Sequence, residues 1–556
     1  MPSGPASRRN PISTAATDAH SDASASSGPT QPRRTGDRFT ATDGMQHPNC
    51  TPSGRASGRP CAAHRHTVPM HATSSGSAAP APPSRPRPGA EIEVEILALD
   101  PAGGVLGRAG AERVWLARGR PGARVVARVL RRRRSHLEAA PLRELDAGPD
   151  AAAPRCAHVR ECGGCSFQDL AYERQLAHLL AATRESLAPL AALGVDPHAL
   201  LAGIDGARET FGYRNKMDFT FSNRRWVCAG EELGADASFA LGLHLAGRHQ
   251  KVLDIARCEI QFERGNAILA ATRELARAAG IAPWDSRAHT GVLRHLVLRE
   301  ARATGQVLAV LVTAPGHAEA IAALGRALVE RCPSLTTLVH AESARLANVA
   351  VGESERVLHG PGWIDEQLAG LSFRVSARSF FQVNTAQAER LVERVRELAG
   401  GVAGAVVYDV CCGAGTLGLA VARDARELWG FELEPAAVED ARANAARNGC
   451  AHARFVAGDV RATLAAAALA GVGAPRPGIA LVDPPRAGLH PAAVAALVEL
   501  APRRIVYVSC NARSAARDLA VLLGGGYALA GAAAVDLFPH TPHVESVYAL
   551  ERSAAS

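Results

Sequence analysis

Residues Tyr408–Gly418 read Tyr-Asp-Val-Cys-Cys-Gly-Ala-Gly-Thr-Leu-Gly, an apolar run that passes through a glycine-rich turn into a helical pattern. Gly413, Gly415 and Gly418 let the backbone turn sharply and approach a ligand with no side chain in the way. A turn of this kind belongs between a strand and the helix of a βαβ unit, and the sequence after Ser376 agrees. A helix is predicted over Ala386–Leu398, then strands at Val406–Val410 and Leu428–Phe431, and a helix over Ala436–Asn448 stopped by Gly449. Strands at Phe455–Ala457, Ile479–Val482 and Ile505–Val508 follow, the last two each trailed by a helix. Two closing strands, around Ala532–Leu537 and Val544–Leu550, have no helix between them. Alternating strands and helices predict a doubly wound α/β sheet over residues 376–556, its closing pair forming an antiparallel edge.

Glu432 ends the second strand of this unit, about twenty residues past the turn, where a carboxylate can accept hydrogen bonds from both hydroxyls of a ribose. Taken alone, this pattern also fits a dinucleotide site, so an NAD-dependent oxidoreductase competes. Two features favour a methyltransferase: Asp409 precedes the turn on its own strand, and the fourth strand ends in Asp483-Pro484-Pro485-Arg486. That loop lies at the carboxyl end of a strand, where open α/β sheets bind ligands. Enzymes that methylate amino groups follow Asp-Pro-Pro with an aromatic, and Arg486 stands in its place. The fifth strand runs into Ser509-Cys510-Asn511. A cysteine there is often a packing residue, but at the ligand edge it suits a chemistry that needs a thiolate. Carbon 5 of uracil is a poor nucleophile until a thiol adds at carbon 6 and pushes electron density onto it. The base that then removes the carbon 5 proton should be a nearby carboxylate, and Glu545 in His540-Thr541-Pro542-His543-Val544-Glu545 is the candidate.

At 556 residues the chain has room for roughly two to four folded units. Residues 1–88, rich in Ser, Ala, Pro, Thr and Arg, show no apolar periodicity and are expected to be a disordered tail. Met70 is a candidate alternative initiator, and Cys50 and Cys61 are assigned no role. The formal charge of +8 is misleading: residues 1–88 hold ten Arg against four Asp, and residues 89–146 hold eleven Arg against eight acids, leaving the rest near neutral. Lys216 and Lys251 are the only lysines, a bias that a GC-rich genome writes regardless of function. The run Arg131–Arg134 is more telling, because Arg suits phosphate contacts. No secretory apolar region follows Met1, and runs such as Leu464–Ala470 fall well short of the roughly 18 residues a spanning helix needs. A cytoplasmic protein with no membrane partner is expected.

Residues 89–146 alternate in short runs, Ile92–Leu97, Val105-Leu106, Val114–Leu116 and Val125–Leu130, punctuated by Gly and Pro. They predict a small antiparallel β-barrel. Its paired Gly-rich turns and the Arg120–Arg124 stretch resemble the TRAM domain, which implies RNA binding. Residues 147–375 read as an α+β central domain, with a helix over Asp169–Leu193 and strands at Phe219–Phe221 and Ala240–Leu245. Cys156, Cys162 and Cys165 are spaced C-x5-C-x2-C, with Cys258 as a distant fourth candidate, and such thiolates suit zinc or an iron–sulfur cluster. Cys228, Cys332, Cys412 and Cys450 are read as core or incidental thiols.

Phe380-Phe381-Gln382-Val383-Asn384, the glycine-rich turn, Asp483–Arg486, Ser509-Cys510-Asn511 and His540–Glu545 occur in the order seen in the RNA uracil-5-methyltransferase family, which residues 89–552 resemble. The resemblance implies that Gln382, Glu432, Asp459 and Asp483 contact S-adenosylmethionine, with Cys411, Gly413, Gly415 and Thr416 at the glycine-rich loop. Cys411 and Thr416 stand where many relatives carry an aromatic and an Asn. It further implies that Cys510 is the nucleophile, Glu545 the base, and Cys156, Cys162, Cys165 and Cys258 the ligands of a 4Fe-4S cluster, with Tyr213–Lys216 facing RNA. The barrel and the His-Thr-Pro-His segment resemble the 23S ribosomal RNA branch, so that RNA is the expected substrate, with tRNA the alternative. A monomer is expected. A catalytically silent RNA-binding protein is the third reading, one that would be expected to have lost part of this residue set.

Overall fold

The alternating runs after Ala90 form five strands: β1 (Glu91–Leu99), β2 (Val105–Ala109), β3 (Glu112–Leu116), β4 (Arg124–Arg132) and β5 (Leu137–Asp146). They close into a barrel in the order β1-β2-β3-β5-β4. In β1, Val94, Ile96 and Leu99 point into the core, while Glu91, Glu93 and Glu95 point out and pair with Arg128, Arg124 and Arg108 at 3.0–3.3 Å. Antiparallel pairing was expected throughout, but β3 and β5 run parallel, Val114 opposite Leu137. An odd number of strands cannot alternate direction all the way round a closed ring, so one interface must be parallel. In this computed structural model the described residues are 85–553 apart from 101–102, 160, 229–230 and 232–236. They belong to one compact unit. Most of the expected tail, with Cys50, Cys61 and Met70, lies outside them; its last residues do not, and Arg85 pairs with Glu112 on the barrel (2.8 Å).

Past the barrel, the helix expected over Asp169–Leu193 is an α-helix only over Tyr172–Leu187, then a 3-10 turn over Ala188–Leu193. Pro189 has no N–H to continue the α-helical ladder. The central region builds an eight-stranded mixed sheet from β6 (Lys216–Ser222), β7 (Arg225–Trp226), β8 (Ala240–Leu245), β9 (Arg248–Asp254), β10 (Leu293–Glu300), β11 (Val307–Thr313), β12 (Thr337–Glu342) and β13 (Ser354–His359). Their order is β13-β12-β11-β10-β6-β8-β9-β7. A hairpin of β14 (Trp363–Leu368) and β15 (Leu371–Ser376) leads into the C-terminal sheet.

That sheet comprises β16 (Val406–Val410), β17 (Glu427–Glu432), β18 (Ala453–Ala457), β19 (Ile479–Val482), β20 (Arg504–Ser509), β21 (Tyr527–Val535) and β22 (Glu545–Arg552). Its order is β18-β17-β16-β19-β20-β22-β21, parallel except for β22, which runs antiparallel to both neighbours. Both faces are buried. Tyr408, Val482 and Tyr507 join a core shared with the barrel and the helix Tyr172–Leu187. Their chain neighbours Val407, Leu481, Val506 and Val508 join another, shared with β14–β15 and the helix Thr385–Ala399. Strands buried on two faces read as continuous apolar runs, which is why most were found within two residues. The exception is β21, which starts five residues before the expected Ala532. Its sequence, Tyr-Ala-Leu-Ala-Gly-Ala-Ala-Ala-Val, has little β-branched or aromatic content, and pairing with β22 rather than local preference makes it a strand. No helix of the described residues is long and apolar enough to cross a membrane.

The barrel docks through Arg120, whose buried guanidinium bonds Glu144 (2.6 Å), Asp169 (2.5 Å) and the Ala147 carbonyl (3.0 Å). Its acidic partners are partly exposed, so Arg120→Ala should cost about 2 kcal/mol, less than for a fully buried pair. Urea unfolding checks this; an unchanged midpoint would show that the ion pairs contribute nothing.

Candidate active site

The glycine-rich loop joins the ends of β16 and β17. The N–H groups of Cys411 and Cys412 bond the Phe431 carbonyl (2.9 and 3.1 Å). Cys411 sits at φ 65°, a left-handed conformation unusual for a residue with a Cβ. Gly415 (φ 76°) is the N-cap of the helix Thr416–Val421, so Thr416 is its first residue. That cap has no side-chain oxygen of its own. Asp409 supplies one from the strand, its Oδ2 accepting from Gly418 N at 2.9 Å. A Cβ on Gly418 would lie 2.4 Å from that oxygen, so only glycine fits. Asp409 is fully buried, and its Oδ1 has no partner among the described residues. Burial, with Asp483 and Glu432 nearby, pushes its carboxyl up to about 7.

Glu432 ends β17 with both oxygens on the loop backbone, accepting from Gly413 N (2.9 Å) and Glu434 N (3.0 Å). Asp459, just past β18, caps the short helix Val460–Thr463 and pairs with Arg461, whose guanidinium holds the carboxyl down near 2. It still lies close enough to raise the Cys411 thiol, after burial, Glu432, Asp483 and Asp409. Gln382 is placed through its backbone: its carbonyl accepts from Asn215 Nδ2 (2.9 Å), two residues before the Asn384 cap of the helix Thr385–Ala399.

The strand order reverses between β16 and β19, and Asp483 sits at that crevice, its N–H bonding the Val410 carbonyl (3.2 Å). Three loops meet beside it. Asn511 Nδ2 and Ser514 Oγ donate to the Arg486 carbonyl (2.9 and 3.1 Å). The Arg486 guanidinium donates to His543 Nδ1 (3.0 Å). Burial, helped by Arg486 and Arg214, pushes His543 down to about 4, so it is neutral with its proton on Nε2. The pairing of Ser509 with Ser546 sets the next residue of one strand, Cys510, opposite the first residue of the other, Glu545. Cys510 lines a cleft together with Arg486 and His543 and with Leu99 and Asp100 of the barrel. Burial and Glu545 push the Cys510 thiol up to about 11, against the opposing pull of Arg486. Glu545 is 5% exposed, and burial with Asp483 holds its carboxyl well above the usual range; burial does the same to Asp483.

Cys156, Cys162, Cys165 and Cys258 line a second cavity of about 150 Å³. The sulfurs of Cys156, Cys162 and Cys165 accept hydrogen bonds from His158 N (3.4 Å), Gly164 N (3.3 Å) and Gln168 Nε2 (3.3 Å), and the backbone of Ile260 and Gln261 serves that of Cys258. Burial, chiefly, pushes all four thiols up, Cys165 to about 12 and Cys258 to about 11. Among the described residues no group of three His, Cys, Asp or Glu is drawn together tightly enough to hold a single metal ion.

In the segment expected to face RNA, Arg214 and Lys216 are half-buried, while Tyr213 and Asn215 are 2% and 5% exposed and pin loops through Pro539 O, Gln382 O and Val383 O. Sequence reasoning also missed His543 and Asn511 as site residues. Their signal was only their place beside Glu545 and Cys510, and the Arg486 contacts that join them cross 57 and 25 residues of chain.

A parallel sheet with an antiparallel β22, a glycine-rich first loop and acids ending its first, second and fourth strands defines a class I S-adenosylmethionine-dependent methyltransferase. The family model for tRNA (Uracil-5-)-methyltransferases matches residues 334–553. An uncharacterised RNA methyltransferase of Chlorobaculum tepidum is 37% identical over 440 residues, 78% of this chain and 90% of the relative. Another, from Nitratidesulfovibrio vulgaris, is 36% identical over 464 residues, covering 83% and 96%. The crystal structure of the Pyrococcus abyssi tRNA (uracil-54, C5)-methyltransferase with S-adenosyl-L-homocysteine superposes with a TM-score of 0.64 at 26% identity, covering 83% of this chain and 99% of that one. The chain belongs to the RNA uracil-5-methyltransferase family. The dinucleotide oxidoreductase and the silent binding protein fall with that assignment.

Burial holds the carboxyls of Asp409, Asp483 and Glu545 above the usual range, and a sulfonium cation bound beside them would favour their ionised forms. Binding S-adenosylmethionine should therefore release protons. Its affinity should climb between about pH 6 and pH 8, by up to about tenfold per pH unit for each proton released. S-adenosylhomocysteine, uncharged at sulfur, should show a flatter profile. Calorimetry with both ligands across that range tests this; parallel profiles would show that the buried acids do not sense the sulfonium.

Proposed function

We propose that the protein transfers a methyl group from S-adenosylmethionine to carbon 5 of a uridine in RNA through a covalent intermediate on Cys510. The observation that carries this reading is the β20–β22 register, which sets Cys510 opposite Glu545 with Arg486 beside both. The target base leaves its stack to reach the cleft. The Cys510 thiol loses its proton to water through that cleft, and Arg486 favours the thiolate. Sγ then bonds carbon 6, and the displaced electron pair is held as an enolate. Carbon 5 takes the methyl group from sulfur, leaving S-adenosylhomocysteine. Glu545, which the cationic cofactor ionised on binding, takes up the carbon 5 proton, the double bond re-forms and Cys510 departs as the thiolate. In the same reading Gln382, Glu432, Asp459 and Asp483 hold the cofactor, with Cys411, Gly413, Gly415 and Thr416 at the loop.

The four-cysteine cavity is proposed to hold a 4Fe-4S cluster. Its apolar, hydrogen-bonded thiols suit one, whereas zinc would need its ligands about 2.3 Å from one ion. Bound there, such a cluster supplies a fixed, compact cross-link between residues 156–165 and Cys258. Residues 89–146 are read as an RNA-binding barrel, 147–375 as the cysteine-bearing central domain and 376–556 as the catalytic domain of a cytoplasmic monomer. The proposed substrate is 23S ribosomal RNA, on the resemblance of the barrel and of His540–Glu545. A tRNA is the second reading, favoured by the named substrate of the Pyrococcus enzyme. Mapping 5-methyluridine in RNA from a deletion strain separates them.

Cys510→Ala should abolish methyl transfer while leaving cofactor affinity intact. Glu545→Gln should add and methylate but fail to eliminate, accumulating a methylated protein–RNA adduct that survives denaturing electrophoresis and requires Cys510. Wild-type turnover by Cys510→Ala would end the covalent reading. Normal, adduct-free turnover by Glu545→Gln would transfer the role of base to another group.

A further inference from the structure

The cysteine loop touches every part of the molecule around it. Arg118, between β3 and β4, donates to the backbone carbonyls of Val159 (2.5 Å), Cys162 and Cys165 (3.4 Å). Gly163 N bonds the His244 carbonyl (2.9 Å) and Ala246 N the Glu161 carbonyl (3.1 Å), fixing the loop to β8. On the catalytic side its backbone is tied to His540. The N–H groups of Ser166 and Phe167 both donate to the carbonyl of His540, at 2.8 and 3.1 Å.

His540 precedes Glu545 by five residues and His543 by three. It is buried, with a left-handed φ of 69°, and is held from several sides. Gln175 Nε2 donates to the Leu170 and Phe167 carbonyls (2.7 and 2.9 Å) and lies 3.2 Å from His540 Nδ1, so one amide touches both the cysteine loop and the imidazole. The imidazole packs on Phe211, centroids 4.6 Å apart, and the Tyr213 hydroxyl bonds the preceding carbonyl, Pro539 O (3.1 Å). Arg214 makes a second link, lining the cysteine cavity and standing beside His543.

We propose that His540 is a positioning residue that carries the placement of the cysteine loop to Pro539–Glu545, so that the loop, fixed by a metal group bound to the four cysteines, would keep Glu545 and the Arg486–His543 contact in register with Cys510. The inference deepens the covalent reading and rests on it. Cofactor binding is proposed to draw on Glu432 and Asp459, on other loops, so the elimination step should depend on the latch and cofactor affinity should not.

The test uses the full-length protein as isolated, with its metal, and His540→Asn. Asparagine tolerates the left-handed backbone and keeps the carbonyl for Ser166 and Phe167, but loses the contacts of the imidazole. The variant should retain wild-type metal content and wild-type affinity for S-adenosylhomocysteine and for RNA. Its kcat should fall roughly tenfold or more, the scale of losing an outer-shell contact at a metal site, while the methylated adduct accumulates as it does in Glu545→Gln. Wild-type protein stripped of metal by a chelator should behave alike. Unchanged kcat in either case overturns the proposal, as does loss of metal, cofactor affinity and adduct together, which marks a merely structural residue. Absence of metal from the isolated protein overturns it too. Failure of the underlying reading looks different. RNA carrying 5-fluorouridine, whose fluorine no base can remove, should trap wild type as a stable adduct, and no adduct there would sink the covalent chemistry whatever His540 does.

Discussion

The antiparallel seating of β22 between β20 and β21 is the constraint on which the site depends. A parallel sheet brings only the carboxyl ends of its strands to the ligand edge, and Asp409, Glu432, Asp483 and Cys510 all arrive that way. Glu545 begins its strand. It reaches the same edge because β22 runs the other way, with Ser546 opposite Ser509 and Glu551 opposite Arg504. Turned parallel, the strand would carry Glu545 to the far side of the sheet, about 20 Å off at roughly 3.3 Å per residue.

The same edge gathers more negative charge than a buried crevice readily holds. Asp409 turns one carboxylate oxygen inward to accept from Gly418 N, capping a helix whose glycine N-cap has no side chain, and this places a carboxyl under the glycine-rich loop. The site is thus stabilised locally by a backbone hydrogen bond and strained globally by like charges, an arrangement that a cationic ligand relieves.

How much of this was legible follows from how far each feature reaches along the chain. The strands β16, β19 and β20 declare themselves, because burial on both faces demands unbroken apolar runs. β21, rich in alanine, is a strand by virtue of its neighbour. The glycine-rich turn, Asp483 and Cys510 are local patterns, each at a strand end that the periodicity already predicts. The Arg486–His543 contact, the tie from Asn511 to the Arg486 carbonyl and the grip of Arg118 on the cysteine loop join segments that no local pattern connects. Tyr213 and Asn215 show the converse. Polar residues in a short motif invite an outward reading, yet their hydrogen bonds are spent on holding loops. The parallel β3–β5 contact needed no local signal, since counting five strands around a ring requires it.

The outer face of the barrel carries Arg108, Arg124 and Arg128 already matched to Glu95, Glu93 and Glu91. Exposed pairs of this kind add little to stability. They do change what the surface offers a polyanion. A phosphate backbone gains from arginine by releasing condensed counterions, but an arginine that must first surrender a carboxylate returns much of that gain. The unselective attraction that a basic barrel would exert is muted there, and again at Arg133, which pairs with Glu138 (2.6 Å), so the arginine excess is left to the exposed Arg131, Arg132 and Arg134 around the end of β4. On the RNA-binding reading of the barrel, such a surface would keep time on the wrong RNA short, while a strand laid across one end of the barrel would still meet arginine.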